Sequence, residues 1–376
     1  TYNSGTMKFY TSATGPFNGS VTSITLSGGT GSFYFKDTTA GSPSITVSSA
    51  GLSSTTQVET IVAGPATQLA ITSLAQTVTA GTVSSTVTVQ AQDTYGNLAS
   101  SSVVVTLAST SGTMKFDTSS TGSFNGLVTS ITLSGGSGIF YFKDTVAGTP
   151  TITVSATGLT SDSQVETINA AIATRLTFTT TAQTVTAGVV SSVVTVEAQD
   201  NYGNLATGFN GTASITYTSG TMRFDTSATG PFNGTVTSIV LSGGSGSFYF
   251  KDTTSGSHTI TMSTTGLTSA SQVETIAAAA ATALYITSAT QSVVAGVASS
   301  AVTVEARDTY GNVATGFSGT VSLVSTSGTM KFDTSATGLF NGTVTSITLS
   351  AGTGSFYFKD TTTGSPTITI SATGLT

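Results

Sequence analysis

Residues 31–39 read GSFYFKDTT, and near-identical copies stand at 138–146 (GIFYFKDTV), 246–254 and 354–362 (both GSFYFKDTT). Successive side chains of an extended strand point to opposite faces. We therefore predict a strand that buries Phe33 and Phe35 in a core. Tyr34 and Lys36 are then expected to point outward, and Asp37 to begin a turn.

The motif belongs to a long internal repeat. The markers SGTMKF and SGTMRF place Met7, Met114, Met222 and Met330 at nearly equal intervals along the chain. Solenoids and propellers repeat every 20–50 residues or so, whereas a period of about 108 residues is the size of a small domain with its own core. We predict four domains, stacked end to end through short linkers: 1–62, 63–169, 170–277 and 278–376.

The two outer domains are incomplete. Domain 1–62 lacks its N-terminal half, and domain 278–376 lacks the final strand that SASQVETI (269–276) provides in the domain before it. We interpret the chain as an excerpt of a longer array. Completion of these two domains by neighbouring chains is the alternative.

Within each repeat, short segments of alternating β-branched and aromatic residues are separated by Gly, Asn-Gly, Ser-Gly or Pro. In STVTVQAQD (85–93), for example, Val87, Val89 and Ala91 share one face. No segment has a helical period, and the pattern is typical of an antiparallel sandwich. We predict an all-β chain of tandem immunoglobulin-like β-sandwich domains with seven or eight strands each, lacking the Cys and Trp of antibody domains.

Three stretches of the second repeat resemble the bacterial and archaeal Ig-like (invasin/intimin-type) tandem repeats of cell-surface proteins: TVSSTVTVQAQDTYGNLA (82–99), SGTMKFDTS (111–119) and FYFKDTVAGTPTITVSATGLT (140–160). The resemblance covers essentially the whole chain. It implies an Ig-like fold and an extracellular or cell-surface location. It brings no catalytic residues and is shared by adhesins, sheaths, S-layers and exoenzyme spacers.

The composition limits the partners that can be expected. Only 7% of the residues are charged, and the formal net charge is −6 with ten Lys and Arg in 376 residues. Nucleic-acid binding needs many cations that neutralise phosphates, so we expect no nucleic-acid partner. The chain has no cysteine for disulfides or thiolate metal sites. No apolar run approaches the roughly 20 residues of a membrane span.

No recurring set of residues is suited to catalysis. His258 is the only histidine and stands where the other repeats have proline. Glu197 and Asp200 could form a carboxylate pair, but Gln90 replaces that glutamate in the second repeat. A nucleophile needs a base within reach, and we therefore predict that the chain is not an enzyme.

The motif QDTYGN (92–97) recurs as QDNYGN (199–204) and RDTYGN (307–312). Asp at the start of a turn accepts backbone N–H groups, and Gly adopts a positive φ. We interpret these segments as turns. A calcium site at Asp93, Asp200 or Asp308 is the alternative, although calcium prefers six to eight oxygen ligands; no other cofactor is expected.

Four asparagines stand in glycosylation sequons: Asn18, Asn210, Asn233 and Asn341. Glycans at these positions would suit an extracellular surface. Asn-Gly is also the strongest hairpin-turn dipeptide, so a turn without glycan is the competing interpretation.

The outward Tyr and Lys of the FYFK strand are candidate contacts with a neighbouring chain: Tyr34, Lys36, Tyr141, Lys143, Tyr249, Lys251, Tyr357 and Lys359. Identical patches repeated along one chain make even weak contacts multivalent. Lys–Asn isopeptide cross-links would need a buried lysine, which the alternation disfavours. Sugar stacking on the tyrosines is a further alternative.

We predict a structural, non-enzymatic repeat protein of a prokaryotic cell surface that forms a filament, sheath or S-layer-like assembly with copies of itself. The alternatives are the passive stalk of an adhesin, which holds a distal binding domain against a host or substratum, and a carbohydrate-binding accessory module that contacts cell-surface glycans.

Overall fold

A computed structural model of the chain describes residues 1–375, and every regular element in that range is a β-strand. The predicted all-β sandwich class is confirmed. The strands are short because Gly, Pro and Asn-Gly turns interrupt the alternating segments. Nothing in residues 1–375 forms a helix with the length and apolarity that a membrane crossing requires.

The chain divides into two compact units. Unit 1 comprises Thr1–Ala171 together with Tyr202–Asn204, and unit 2 comprises Ile172–Asn201 and the described residues from Leu205 onward. Each unit contains two of the predicted repeats, and the division after Ala171 lies close to the predicted boundary between the second and third repeats. The individual domain bounds stay a prediction.

The strands divide among the four repeats. Residues 1–62 contain β1 (Lys8–Tyr10), β2 (Tyr34–Lys36), β3 (Ser44–Val47) and β4 (Thr55–Val58). Residues 63–169 contain β5 (Gln68–Ile71), β6 (Thr77–Thr79), β7 (Val87–Gln92), β8 (Val104–Ser109), β9 (Lys115–Asp117), β10 (Ser130–Thr132), β11 (Ser137–Lys143), β12 (Thr151–Ser155), β13 (Asp162–Val165) and β14 (Thr167–Asn169). Residues 170–277 contain β15 (Arg175–Phe178), β16 (Thr184–Thr186), β17 (Val194–Gln199), β18 (Gly211–Tyr217), β19 (Arg223–Asp225), β20 (Ser238–Leu241), β21 (Ser245–Lys251), β22 (Gly256–Ser263) and β23 (Ala270–Ala277). Residues 278–375 contain β24 (Ala283–Ile286), β25 (Val302–Arg307), β26 (Thr320–Ser325), β27 (Lys331–Asp333), β28 (Ser346–Thr348), β29 (Thr353–Lys359) and β30 (Ile368–Ser371).

Two sheets form the sandwich of the second repeat. One has the strand order β5-β7-β11-β9 and the other β10-β8-β12-β13, while β14 pairs in parallel with β6. The third repeat has the equivalent sheets β15-β17-β21-β19 and β16-β23-β22-β18-β20. In the fourth repeat the sheets are β24-β25-β29-β27 and β28-β26-β30.

The FYFK strand lies at the centre of each core. Phe140 and Phe142 on β11 are fully buried, and Phe116 on β9 packs edge-to-face on Phe140 with ring centroids 5.5 Å apart. The same edge-to-face pair recurs as Phe224–Phe248 and Phe332–Phe356. In the first repeat Phe33 and Phe35 are half-buried and Tyr34 is exposed.

Truncation of a buried ring should cost far more than a change on the opposite face of the same strand. We expect Phe140→Ala to lower the free energy of unfolding by about 3–5 kcal/mol, because it removes a large side chain and leaves a cavity. Ile139→Ser is the matched control, since Ile139 is 47% exposed and serine occupies the equivalent positions of the third and fourth repeats; it should change stability by less than about 0.5 kcal/mol. Urea unfolding of the full chain checks both, and equal losses would contradict the assigned facing.

Candidate functional site

The outward face of the FYFK strand is flanked by a second row of side chains from the neighbouring edge strand. In the β11–β9 pair, Tyr141 lies opposite Asp117, Phe142 opposite Phe116, and Lys143 opposite Lys115. Tyr141 and Lys143 are half-buried, and the Thr86 hydroxyl lies 3.1 Å from the Tyr141 hydroxyl. Of the eight predicted contact residues, Tyr34 and Lys36 are exposed and the other six are half-buried.

The register brings two cations together in every repeat. The opposed pairs are Lys8–Lys36, Lys115–Lys143, Arg223–Lys251 and Lys331–Lys359. They account for eight of the ten basic residues of the chain. The sequence pattern identified only one member of each pair, because the other lies on a different strand, well before it in the chain.

Asp93 is the centre of the Asp-Thr-Tyr-Gly-Asn turn. Its Oδ1 accepts hydrogen bonds from the backbone N–H groups of Tyr95 (2.8 Å) and Asn97 (3.0 Å). Its Oδ2 accepts from the Gly64 N–H and from Asn97 Nδ2, both at 2.9 Å. Asp308 makes the equivalent bonds to Tyr310, Asn312 and Ala279. The carboxylate thus ties the turn to the linker that precedes its own repeat.

The last residue of this turn connects two repeats within one unit. In unit 1, Asn97 Nδ2 donates to the Thr38 carbonyl (2.9 Å), and Asn97 Oδ1 accepts from the Ala40 N–H (2.8 Å). In unit 2, Asn312 makes the same two bonds to the Thr253 carbonyl (2.8 Å) and the Ser255 N–H (2.9 Å). We call this two-bond arrangement the asparagine clamp. The sequence did not reveal it, because both of its partners lie in the preceding repeat, far away along the chain.

Hydrogen bonding perturbs the pKa values of the turn aspartates. The side-chain hydrogen bond from Asn97, together with the backbone N–H donors, lowers the pKa of Asp93 from 3.8 to about 2. Burial alone would raise the pKa of Asp308, but the hydrogen bonds from Asn312, Ala279 and Tyr310 outweigh it and the pKa is lowered. These carboxylates are therefore held in the charged form at neutral pH.

Calcium at these turns stays the alternative to the predicted turn without a metal. Both oxygens of Asp93 and of Asp308 already accept hydrogen bonds from the chain, and Asp200 is fully buried at the equivalent position. Within residues 1–375, no three Asp, Glu or His side chains come together as a metal site would require.

In the second and third repeats, the aspartate that follows FYFK is more deeply buried than its position at a turn suggested, whereas Asp37 and Asp360 are half-buried. Asp144 and Asp252 are each 1% exposed, and Oδ1 of each accepts from a threonine hydroxyl at 2.5 Å, Thr113 and Thr221 respectively. Oδ2 of each is buried without a hydrogen-bond partner. His258 Nε2 lies 3.9 Å from Asp252 Oδ2, a contact that the prolines of the other repeats cannot make.

The four sequon asparagines are all exposed. Asn18, Asn233 and Asn341 accept hydrogen bonds from the hydroxyl two residues later at 2.6–2.7 Å, while Asn210 Oδ1 accepts from the Gly243 N–H. In the FNG copies that begin at Phe17, Phe124, Phe232 and Phe340 the phenylalanine has a φ of 42–47° and the glycine a φ of 82–85°, whereas neither Phe209 nor Gly211 of the copy at 209–211 has a positive φ. The segments at Asn18, Asn233 and Asn341 are thus tight turns with left-handed backbone, while Asn210 directly precedes β18. Glycosylation of the four asparagines stays a prediction.

Comparisons with solved structures give low similarity. The bacterial integrin-binding protein invasin matches with a TM-score of 0.34 and 16% identity over 81% of this chain, which spans only 56% of the invasin chain. The Escherichia coli adhesin FdeC matches with a TM-score of 0.39 and 15% identity over 84% of this chain and 96% of its own. Domains 4–9 of the surface-layer protein SbsC match with a TM-score of 0.23 and 17% identity over 77% of this chain and 46% of the SbsC chain.

Invasin, one member of the group that the sequence resembles, is among these matches. Because all three TM-scores lie below 0.5, the likenesses carry no argument about function. No family model matches the sequence, and no curated protein matches it.

Acidification should weaken the turns through Asp93 and Asp308. A carboxylate whose pKa is lower in the folded than in the unfolded state stabilises the fold above the unfolded pKa and loses this contribution as the pH falls through the folded pKa. The pKa of Asp93 is 3.8 in the unfolded state and about 2 in the folded state, so its stabilising contribution should be lost mainly between about pH 4 and pH 2.

Thermal unfolding of the wild-type chain and of Asp93→Asn at pH 7, 4, 3 and 2 checks this. The midpoint of the wild-type chain should fall over the acidic interval, and the difference between the two proteins should shrink there. A difference that is the same at pH 7 and pH 2 would contradict the role given to Asp93.

Proposed function

We propose that this chain is a structural, non-enzymatic repeat protein of a prokaryotic cell surface. Its Ig-like domains form an extracellular filament, sheath or S-layer-like assembly by packing end to end and laterally with copies of themselves. The asparagine clamp is the observation that carries this proposal, because it connects the turns at Asn97 and Asn312 to the backbone of the preceding repeat.

The clamp supports transmission of tension along the chain. Asp93 fixes the turn to Gly64 in the linker, and Asn97 fixes the same turn to the backbone of the preceding repeat at Thr38 and Ala40. The bonds in the preceding repeat go to main-chain groups, so they do not depend on which side chains stand there. Pulling on the linker therefore loads hydrogen bonds to a buried carboxylate and to the backbone.

The outer face of one sheet supports lateral packing. On β8, β12 and β13 the outward side chains are small and uncharged, and cross-strand partners include Thr153 opposite Ala108 and Thr153 opposite Ser163. In the third repeat Thr216 lies opposite Thr261, which in turn lies opposite Ser271. A flat face without charge offers no repulsion to an identical face of a second chain.

The passive stalk of an adhesin is the second candidate. A clamped array is equally suited to holding a distal domain away from a surface, and the two functions differ in whether the chain associates with itself.

Electron microscopy of the purified chain across a concentration series tests the proposal. We expect ordered fibrils or lateral arrays from the wild-type chain. Asn97→Ala combined with Asn312→Ala should disorder them, because each loss leaves backbone partners unpaired at a cost of about 1–3 kcal/mol.

The matched control is Asn18→Ala combined with Asn341→Ala, which removes two exposed asparagines that bond only within their own turns. It should assemble like the wild-type chain. A wild-type chain that stays a monodisperse monomer at every concentration would rule out the filament and favour the stalk.

A further inference from the structure

The eight opposed cations have no acidic partner within residues 1–375. The ion pairs of that range are His258–Asp252 and Arg307–Glu305, and neither involves a member of the four pairs. Like charges directly opposite each other on a sheet are destabilising. The arrangement nevertheless occurs once in each repeat, with Arg223 in place of lysine in the third.

We propose that each cation pair binds acidic groups of a polysaccharide, so that one chain presents four equivalent anion-binding sites. Two cations on adjacent strands can contact one carboxylate or sulfate together, or two successive groups of a polymer. This inference does not depend on self-assembly, because binding can be measured on the soluble chain.

The surroundings of the pair suit an anion. On a nearby rung, Tyr141 lies opposite Asp117, whose carboxylate accepts from the backbone N–H groups of Ser119 (3.1 Å) and Phe124 (3.4 Å). That carboxylate is therefore already engaged in its own turn. Tyr141 provides a half-buried aromatic ring beside the cations, on which a sugar ring can pack.

Three of the cations contact carbonyl groups or a ring beside them. Lys115 Nζ donates to the Gly112 carbonyl (3.2 Å), and Arg223 Nη1 donates to the carbonyls of Gly220 (3.0 Å) and Met222 (2.7 Å). In the fourth repeat Lys359 Nζ lies 5.8 Å from the centroid of the Phe340 ring. These contacts leave the positive charges uncompensated, since carbonyls and rings contribute only partial charge.

A second copy of this chain is a poor source of the anion. Seven of the sixteen acidic residues are buried: Asp93, Asp144, Glu166, Asp200, Asp252, Glu274 and Asp308. The other nine are half-buried, and each accepts a hydrogen bond from its own chain: Asp37, Glu59, Asp117, Asp162, Glu197, Asp225, Glu305, Asp333 and Asp360. No fully exposed side-chain carboxylate in residues 1–375 is therefore offered to the cation pairs of another copy.

Binding of the full chain to immobilised polygalacturonate, dextran sulfate and neutral dextran tests the proposal. We expect binding to one or both acidic polymers, and the two arms distinguish carboxylate from sulfate. Binding should weaken as ionic strength rises, because salt screens exposed charges. Replacing Lys36, Lys143, Lys251 and Lys359 by Gln should lower apparent affinity by about tenfold or more, since four linked sites act together.

Three further variants distinguish the effect of the cation pairs on binding from the effect of net charge. The same four positions changed to Arg should bind within about threefold of the wild-type chain, because the charge is kept. Lys115→Gln with Lys143→Gln removes two positive charges from one pair, and Arg175→Gln with Arg307→Gln removes two elsewhere. Only the first of these double variants should weaken binding.

Thermal unfolding at low salt excludes damage to the fold, since removing one of two like charges should leave the midpoint unchanged or raise it. Equal binding to neutral dextran, no binding to either acidic polymer, or equal losses in the two double variants would overturn the proposal. The proposal would also be overturned if the wild-type chain bound no acidic polymer and the four-glutamine variant lost self-association. That result would assign the cation pairs to a chain-to-chain contact.

Discussion

The antiparallel register between the FYFK strand and its edge strand constrains most of this structure. Because Phe142 pairs with Phe116 on the inner face, the next rung necessarily places Lys143 opposite Lys115 on the outer face. A slip of β9 by one residue against β11 would turn Lys115 toward the core and Phe116 toward solvent. The hydrophobic core therefore holds two positive charges together, and the cation pair is a direct consequence of how the core is packed.

The chain uses its few charged residues as fixed structural centres. With no cysteine to form disulfides, the turns and linkers are held by buried carboxylates that accept several backbone N–H groups, as Asp93 does. A carboxylate is well suited to this because its two oxygens accept up to about four hydrogen bonds. Seven of the sixteen acidic residues are consequently buried, whereas none of the paired cations is. A chain of net negative charge can thus present positive sites.

Features set by neighbouring residues were accessible from the sequence, and features set by distant pairing were not. Period-two alternation correctly predicted the burial of Phe140 and Phe142, and the turn at Asp93 followed from its Asp-x-Tyr-Gly-Asn pattern. The cation pair and the asparagine clamp required the register of strands and the packing of one repeat on the next. The left-handed backbone at Phe124 was not predicted either, because phenylalanine rarely adopts a positive φ and an Asn-Gly dipeptide predicts a turn centred on the Asn and Gly themselves.

The most direct test of the account is the hydrogen exchange of three equivalent backbone amides. The N–H groups of Ala40 and Ser255 donate to Asn97 and Asn312, whereas the equivalent N–H of Thr363 has no hydrogen-bond partner among residues 1–375. We expect slow exchange at Ala40 and Ser255 and fast exchange at Thr363 in the wild-type chain. In Asn312→Ala the exchange rate should rise at Ser255 and stay unchanged at Ala40. Exchange at Ser255 as fast as at Thr363 in the wild-type chain would contradict clamped repeats.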